Sequence, residues 1–238
     1  MTAASTRPFF FGLCYLVRRT PASRHISSCS RPELALLHLA RPLLIWTGLA
    51  FAIIMPMTFA ATSEYLASRD PVYIAAGFAG VVALCLALVQ PLLAGGWLPG
   101  LHLLRGRRAH RAVGVILIAA VVVHVVGLWI TSPPDIVDAL LLRSPTPFSV
   151  FGVGAMWALF AAALFAALRR RFSAHVWRVG HKSLVSVVVF GGAVHALLVE
   201  GTMETTSKAV LCALAIAATL AAVAASGRRA KRHALGKK

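Results

Sequence analysis

Six long apolar segments, separated by short polar connections, limit most strongly how this chain can fold. They cover approximately residues 42–62, 72–96, 111–131, 148–168, 182–200 and 208–226. Each meets or approaches the length of about 18 to 20 apolar residues that a helix needs to cross a bilayer. Hydrophobic residues make up 59% of the 238 residues, charged residues only 13%, and the mean hydropathy is +0.80. The sequence therefore predicts an all-α integral membrane bundle of six transmembrane helices.

The distribution of positive charge predicts how these helices are oriented. The net charge is +17, and 21 of the 24 Lys and Arg residues lie in the first 42 residues, in segments 105–111 and 169–182, or after Gly227. The intervening connections hold six of the seven acidic residues. This alternation follows the positive-inside rule and predicts a multi-pass protein of a bacterial inner (plasma) membrane with both termini in the cytoplasm. The charge is thereby explained without a nucleic-acid partner, and the basic tail is expected to contact anionic lipids or, alternatively, an acidic protein.

These patterns divide the chain into three regions. Residues 1–40 are basic and contain an apolar stretch too short to span a bilayer, so we expect a mobile N-terminal extension. Residues 41–226 form the six-helix domain, and residues 227–238 form a basic cytoplasmic tail. The four cysteines show neither a CxxC nor a CxxCH pattern, so the sequence indicates neither a zinc site nor covalent haem attachment.

Two of the apolar segments carry histidines with the same spacing. "HRAVGVILIAAVVVH" runs from His110 to His124, and "HKSLVSVVVFGGAVH" runs from His181 to His195. A separation of 14 residues is nearly four helical turns, or about 21 Å, so both rings of each helix lie on one side. The two helices run in the same direction because one helix separates them. We therefore expect an inner pair, His110 with His181, at one depth, and an outer pair, His124 with His195, at another.

Two imidazole pairs stacked across a membrane are suited to bind two b-type haems. A haem iron held by two imidazoles from different helices is six-coordinate and transfers electrons rather than binding oxygen. Glycines beside the ligands would let a flat macrocycle approach, although small residues also serve helix packing. Basic residues around the inner pair could neutralise haem propionates, although the positive-inside rule also accounts for them. The candidates are Gly114, Gly191 and Gly192 for clearance and Arg107, Arg108, Arg111, Arg178 and Lys182 for the propionates.

These residues resemble the ferric reductase-like transmembrane domain family, which includes the membrane part of NADPH oxidases and ferric-chelate reductases. The resemblance covers approximately residues 40–226. It rests on the two histidine-bearing helices, on "FSAHVWRVGHK", where Trp177 precedes His181 by four residues, and on "RSPTPFSVFG". It implies two b haems that carry electrons from a cytoplasmic flavin to an acceptor on the outer face. The matching ligand positions are His110, His124, His181 and His195.

The resemblance also implies a partner protein. Full-length reductases of the family continue into a flavin- and nicotinamide-binding domain, whereas no GxGxxG unit follows the last apolar segment here. We therefore expect an oxidoreductase component whose flavin is bound by a separate cytoplasmic flavoprotein reductase. Ferric iron complexes are the expected electron acceptor on the outer face.

Two other functions are open to a chain of this kind. One is the haem-binding subunit for periplasmic methionine sulfoxide reduction, a related group in which the position of His110 is commonly not histidine. The other is a metal-ion or proton transporter that uses the membrane histidines. The transporter is disfavoured because the middle of the apolar segments contains no Asp, Glu, Asn, Lys or Arg, and because the histidines lie at two depths.

Overall fold

The computed structural model describes residues 32–101, 103–201 and 203–235. These residues form seven α-helices and no β-strand. The helices are α1 (Pro32–Ala61), α2 (Pro71–Gly95), α3 (Leu103–Thr131), α4 (Pro133–Leu140), α5 (Pro147–Ala167), α6 (Ala174–Leu198) and α7 (Thr205–Leu235). All except α4 are long and apolar enough to cross a membrane, which confirms the prediction of an all-α protein with six spans. Residues 1–31 of the proposed N-terminal extension lie outside the described residues, and so does His102.

The helices extend beyond the apolar segments at several ends. The third and fifth segments were expected to begin at residues 111 and 182, but α3 begins at Leu103 and α6 at Ala174. Hydropathy marks the part of a helix that suits lipid, whereas backbone hydrogen bonding continues through polar residues. As a consequence, His110 and His181 lie about two turns inside their helices rather than at the first turn.

Local signals explain where several helices begin and end. Asp70 caps α2 by accepting a hydrogen bond from the amide of Val72 at 2.7 Å, and Ser173 caps α6 through the amide of Val176 at 3.3 Å. Gly96, with a φ of 70°, ends α2 in the left-handed conformation that glycine adopts without strain. The segment between α3 and α5, which reads as a loop in the sequence, contains the short helix α4, which starts after Ser132.

Two helix hairpins and α7 form the centre of the bundle. The hairpins are α2–α3 and α5–α6, whose helices approach each other closely along their lengths, and α7 packs against α2 and α6. Within the described residues, the backbones of α3 and α6 do not pack closely against each other. The main buried cluster joins α2, α6 and α7 through Val81, Leu84, Cys85, Leu88, Val189, Ala193, Leu211, Cys212 and Ala215.

Gly127 allows the close approach of α2 and α3. A Cβ atom at this position would lie 2.7 Å from the Cβ of Ala76 and 3.4 Å from the carbonyl oxygen of Val72. We expect Gly127→Ala to push the two helices apart and to lower the free energy of unfolding by about 1–3 kcal/mol. Thermal unfolding in detergent measures this loss. The control is Gly154→Ala, where a Cβ would meet nothing within 4 Å and the better helix propensity of alanine predicts equal or higher stability. Equal stability of the two variants would contradict the packing role.

Glu204 makes the start of α7 sensitive to acid. Its carboxylate accepts hydrogen bonds from the amides of Ser207 at 2.6 Å and Thr206 at 2.7 Å, and these bonds lower the pKa of Glu204 to about 2. Because this pKa lies below the ordinary value of 4.5, the cap is fully formed above about pH 4.5 and is lost as the pH falls toward 2. We expect the hydrogen-exchange protection of these two amides to fall between about pH 4.5 and about pH 2. In Glu204→Gln the protection should be independent of pH over this range, and a matching decline in that variant would contradict the prediction.

Candidate functional site

The outer pair brings two imidazoles from different hairpins close together. The ring centroids of His124 and His195 are 6.4 Å apart, and the ring planes are inclined at 79°. Imidazole nitrogens bind metal ions at about 2.0–2.1 Å, so two imidazoles bound end-on to one ion have centroids roughly 6 Å apart. The spacing of the outer pair therefore fits two ligands on opposite sides of one metal ion.

Each imidazole of the outer pair is fixed by the other helix of its own hairpin. The Nδ1 of His124 lies 2.7 Å from the carbonyl oxygen of Ala76, and the Nδ1 of His195 lies 2.9 Å from that of Phe148. A carbonyl oxygen can only accept, so each Nδ1 carries the proton and donates it. The lone pair of each ring is then on Nε2, which is the arrangement found in metal-binding histidines whose second nitrogen is held by a backbone carbonyl.

The inner pair has a related but less regular arrangement. The Nδ1 of His110 lies 3.3 Å from the carbonyl oxygen of Gln90. The Nδ1 of His181 is near the carbonyl oxygen of Ala162 but does not reach hydrogen-bond geometry. The indole of Trp177 stacks on His181, with centroids 5.5 Å apart and planes inclined at only 9°. The sequence thus placed Trp177 correctly one turn from His181, and the structure adds the face-to-face contact of the two rings.

Three buried polar atoms near the inner pair have no hydrogen-bond partner within the described residues. They are Oε1 of Gln90, Nε1 of Trp177 and Nδ1 of His181. Buried polar atoms are nearly always paired, because leaving one unpaired costs about 1–3 kcal/mol. Because Nδ1 of His181 faces the carbonyl of Ala162, the atoms that indicate a further polar group are Oε1 of Gln90 and Nε1 of Trp177. The residues around the inner pair therefore fit a bound cofactor that has polar substituents.

The second hairpin repeats the arrangement of the first. In each hairpin the histidine helix carries its two imidazoles 14 residues apart, and each imidazole faces a carbonyl of the preceding helix. Each acceptor helix likewise carries two facing carbonyls. They belong to Ala76 and Gln90 on α2 and to Phe148 and Ala162 on α5. This register was not evident from the sequence, because it depends on how far one helix slides along the other.

Two glycines that the sequence reasoning missed lie directly beside the outer imidazoles. A Cβ at Gly80 would be 2.9 Å from Nδ1 of His124, and a Cβ at Gly152 would be 2.6 Å from Nδ1 of His195. Each glycine lies four residues after the residue whose carbonyl accepts from the imidazole, Ala76 or Phe148. This equal spacing is a signal in the sequence that could have identified the two glycines. Recognising it required the register of the hairpins.

The glycines chosen from the sequence have other surroundings. A Cβ at Gly114 would lie 3.0 Å from Nε2 of Gln90, so this glycine leaves room for the Gln90 amide. A Cβ at Gly191 would lie 3.2 Å from the carbonyl oxygen of Phe151, which makes this position a close approach of α5 and α6. Gly192 has nothing within 4 Å of an added Cβ.

The basic residues proposed for propionates lie mostly at the surface. Arg107, Arg108, Arg111 and Arg178 are exposed and Lys182 is half-buried. Arg169 is a further cation at this end that the sequence reasoning did not select, and its guanidinium lies 5.6 Å from the centre of the Trp177 ring. Arg169, Trp177 and His181 therefore form a stack at the inner pair.

An apolar layer separates the two pairs. Leu117 lies seven residues from both His110 and His124 and is only 5% exposed. It packs with Ala83 and Leu159, and the partly buried side chains around them include Val121 and Val188. The side chains of this layer offer water no hydrogen-bond partner.

The described residues contain no group of three or more His, Cys, Asp or Glu side chains placed to hold a metal ion. A metal ion bound by protein alone commonly takes three or four such ligands. Haem iron takes four ligands from its macrocycle and needs only two from the protein. The imidazole pairs thus suit the axial positions of haem.

The helices and the histidines define a multi-pass membrane protein with two pairs of imidazoles at two depths. Residues 47–192 match the family model described as the ferric reductase-like transmembrane component. Because this match covers more than half of the chain, the chain belongs to that family. The match includes His110, His124 and His181 and ends three residues before His195. Comparison with curated proteins and with solved structures gave no further match.

Family membership gives the general role of the protein. It is a multi-pass integral membrane component of an electron-transfer or reductase system. Domains of this family generally bind haem and usually work with a flavin reductase partner.

Proposed function

We propose that this protein is a dihaem cytochrome b that carries electrons from a cytoplasmic flavoprotein across the membrane to an acceptor on the outer face. His110 and His181 would hold the inner haem, and His124 and His195 would hold the outer haem. The observation that carries this proposal is the outer pair, whose ring centroids are 6.4 Å apart and whose Nδ1 atoms are both engaged by backbone carbonyls. When bound, the two haems supply iron centres that each take up and release one electron.

The protein residues have separate roles in this proposal. The carbonyls of Ala76 and Phe148 hold the outer imidazoles with Nε2 free, and the apolar layer around Leu117 keeps water and protons out of the space between the pairs. At the inner pair, the unpaired indole N–H of Trp177 is available to donate a hydrogen bond to a carboxylate of the cofactor. Arg107, Arg108, Arg111, Arg178 and Lys182 are candidates for its propionates, and Lys182 is the one that is half-buried.

The distribution of charge supports the orientation and the side on which a partner would bind. Basic segments meet at the end of the bundle that carries the inner pair, so the positive-inside rule places this end and both termini in the cytoplasm. A flavoprotein reductase would approach the inner pair there, beside anionic lipids that attract the basic tail. Ferric iron complexes are the acceptor that we propose for the opposite face.

Electron transfer across a sealed membrane tests the proposal. The full-length protein is placed in vesicles that contain trapped ferric citrate, and reduced flavin mononucleotide, whose phosphate keeps it outside, is added. We expect the trapped iron to be reduced in vesicles that contain the haem-loaded protein but not in protein-free vesicles. Equal rates in the two kinds of vesicle would contradict the proposed function. Transfer to trapped hexaammineruthenium(III), an acceptor without iron, but not to ferric citrate would support the electron path and overturn ferric complexes as the acceptor.

A further inference from the structure

The two imidazoles of the outer pair are held nearly perpendicular to each other. The angle between their planes is 79°. His124 is fixed through Ala76 on α2, and His195 is fixed through Phe148 on α5. The Phe148 ring also packs edge-on against His195, with centroids 5.8 Å apart and planes at 66°. The angle is therefore set by the two hairpins independently, each acting on its own ring.

Gly80 and Gly152 bring the backbone against these two rings. An added Cβ would approach Nδ1 of His124 to 2.9 Å and Nδ1 of His195 to 2.6 Å. Distances this short do not occur for real Cβ atoms, so a methyl group at either position must turn or displace the ring. Two neighbouring glycines on the same helices, Gly77 and Gly154, have nothing within 4 Å of an added Cβ. The close approach is thus specific to the two positions that lie beside the imidazoles.

The angle between axial imidazoles has an electronic effect on a haem iron. Each planar ligand overlaps mainly with one of two iron d orbitals that are otherwise nearly equal in energy. Parallel rings separate these two orbitals in energy. Low-spin ferric iron has one vacancy in the two orbitals, so the separation stabilises the ferric state. Ferrous iron fills the set and gains nothing. Perpendicular rings remove this stabilisation of the ferric state, so the iron holds its added electron more tightly.

We infer that Gly80 and Gly152 are positioning residues that keep the outer imidazoles perpendicular and thereby raise the affinity of the outer haem for an electron. This inference rests on the proposed function, in which His124 and His195 are haem ligands. A higher electron affinity at the outer haem favours the flow of electrons toward the outer face. The protein tunes the haem here through the orientation of its ligands rather than their identity.

Electron paramagnetic resonance of the oxidised, purified protein reads the ring angle directly. Perpendicular imidazoles give a highly anisotropic low-spin ferric signal with one large g value, whereas parallel imidazoles give a rhombic signal with three resolved g values. The signal of the outer haem is identified as the one that is lost in His124→Ala. A redox titration of the same samples measures the electron affinity of each haem. The variants are Gly80→Ala and Gly152→Ala, with Gly77→Ala and Gly154→Ala as matched controls.

We expect the outer haem of the unaltered protein to give the highly anisotropic signal. In Gly80→Ala and Gly152→Ala the signal should become rhombic and the equilibrium constant for reducing the outer haem should fall several-fold, while the controls keep both properties. Loss of the outer haem alone from both variants would also support the positioning role, provided that the unaltered protein gives the anisotropic signal. A rhombic outer signal in the unaltered protein would overturn the inference, as would variants that keep its signal and electron affinity. Absence of haem from the folded, unaltered protein would instead contradict the proposed function, and this inference with it.

Discussion

Replacing His124 or His195 with alanine is expected to remove the outer haem and to leave the inner haem in place. Each substitution deletes one of two axial ligands, and the partner imidazole alone cannot keep the iron six-coordinate. The inner pair lies about 21 Å away along the helices and is separated by the buried layer around Leu117, so it should be little affected. Haem extraction and quantification against protein should show about half of the haem of the unaltered protein in each variant.

A matched control for these variants is available on α6. His175 is exposed and lies outside both pairs, and His175→Ala should retain both haems. Thermal unfolding of each variant establishes that the protein is folded. Loss of both haems from folded His124→Ala, or equal loss from His175→Ala, would contradict separate haem sites.

Replacing His181 with alanine is expected to abolish electron transfer across the membrane while the outer haem remains. An electron entering from the end of the bundle that carries the basic segments then faces about 21 Å of apolar protein without an intermediate carrier. In the vesicle assay with external reduced flavin mononucleotide, the rate for His181→Ala should fall to that of protein-free vesicles. The outer haem should still be detected in the absorption spectrum.

A control shows whether His181→Ala loses transfer because the electron path is interrupted or because the protein is misfolded. Dithionite added to detergent-solubilised His181→Ala should reduce the outer haem fully, because the membrane no longer separates the reagent from either end. Transfer across vesicles at the rate of the unaltered protein would show that the inner pair is not on the path. Unchanged transfer would also mean that the inner haem does not supply the electrons of the outer haem.

Much of the fold follows from the sequence because membrane spans have a strong and simple signal. Apolar length identifies all six spans, and the equal spacing of the histidines on two parallel segments indicates two pairs. Helix ends were less predictable. Hydropathy does not report backbone hydrogen bonding, and so it missed the two added turns of α3 and α6.

The surroundings of the histidines could not be predicted in the same way. The carbonyls of Ala76 and Phe148 accept from the imidazoles only because each hairpin has a particular register, and main-chain acceptors leave no trace in residue type. Gly80 and Gly152 were missed for the same reason. By contrast, the stacking of Trp177 on His181 depends on a spacing of one helical turn, which a sequence does show.

A reduced-minus-oxidised absorption spectrum, with haem quantified against protein, addresses the two-haem arrangement most directly. The full-length protein is purified in detergent from cells supplied with haem. We expect the spectrum of b-type haem and about two haems per chain, one for each imidazole pair. One haem per chain would contradict a second site and would point to the outer pair alone. A folded protein without haem would contradict the proposed function altogether.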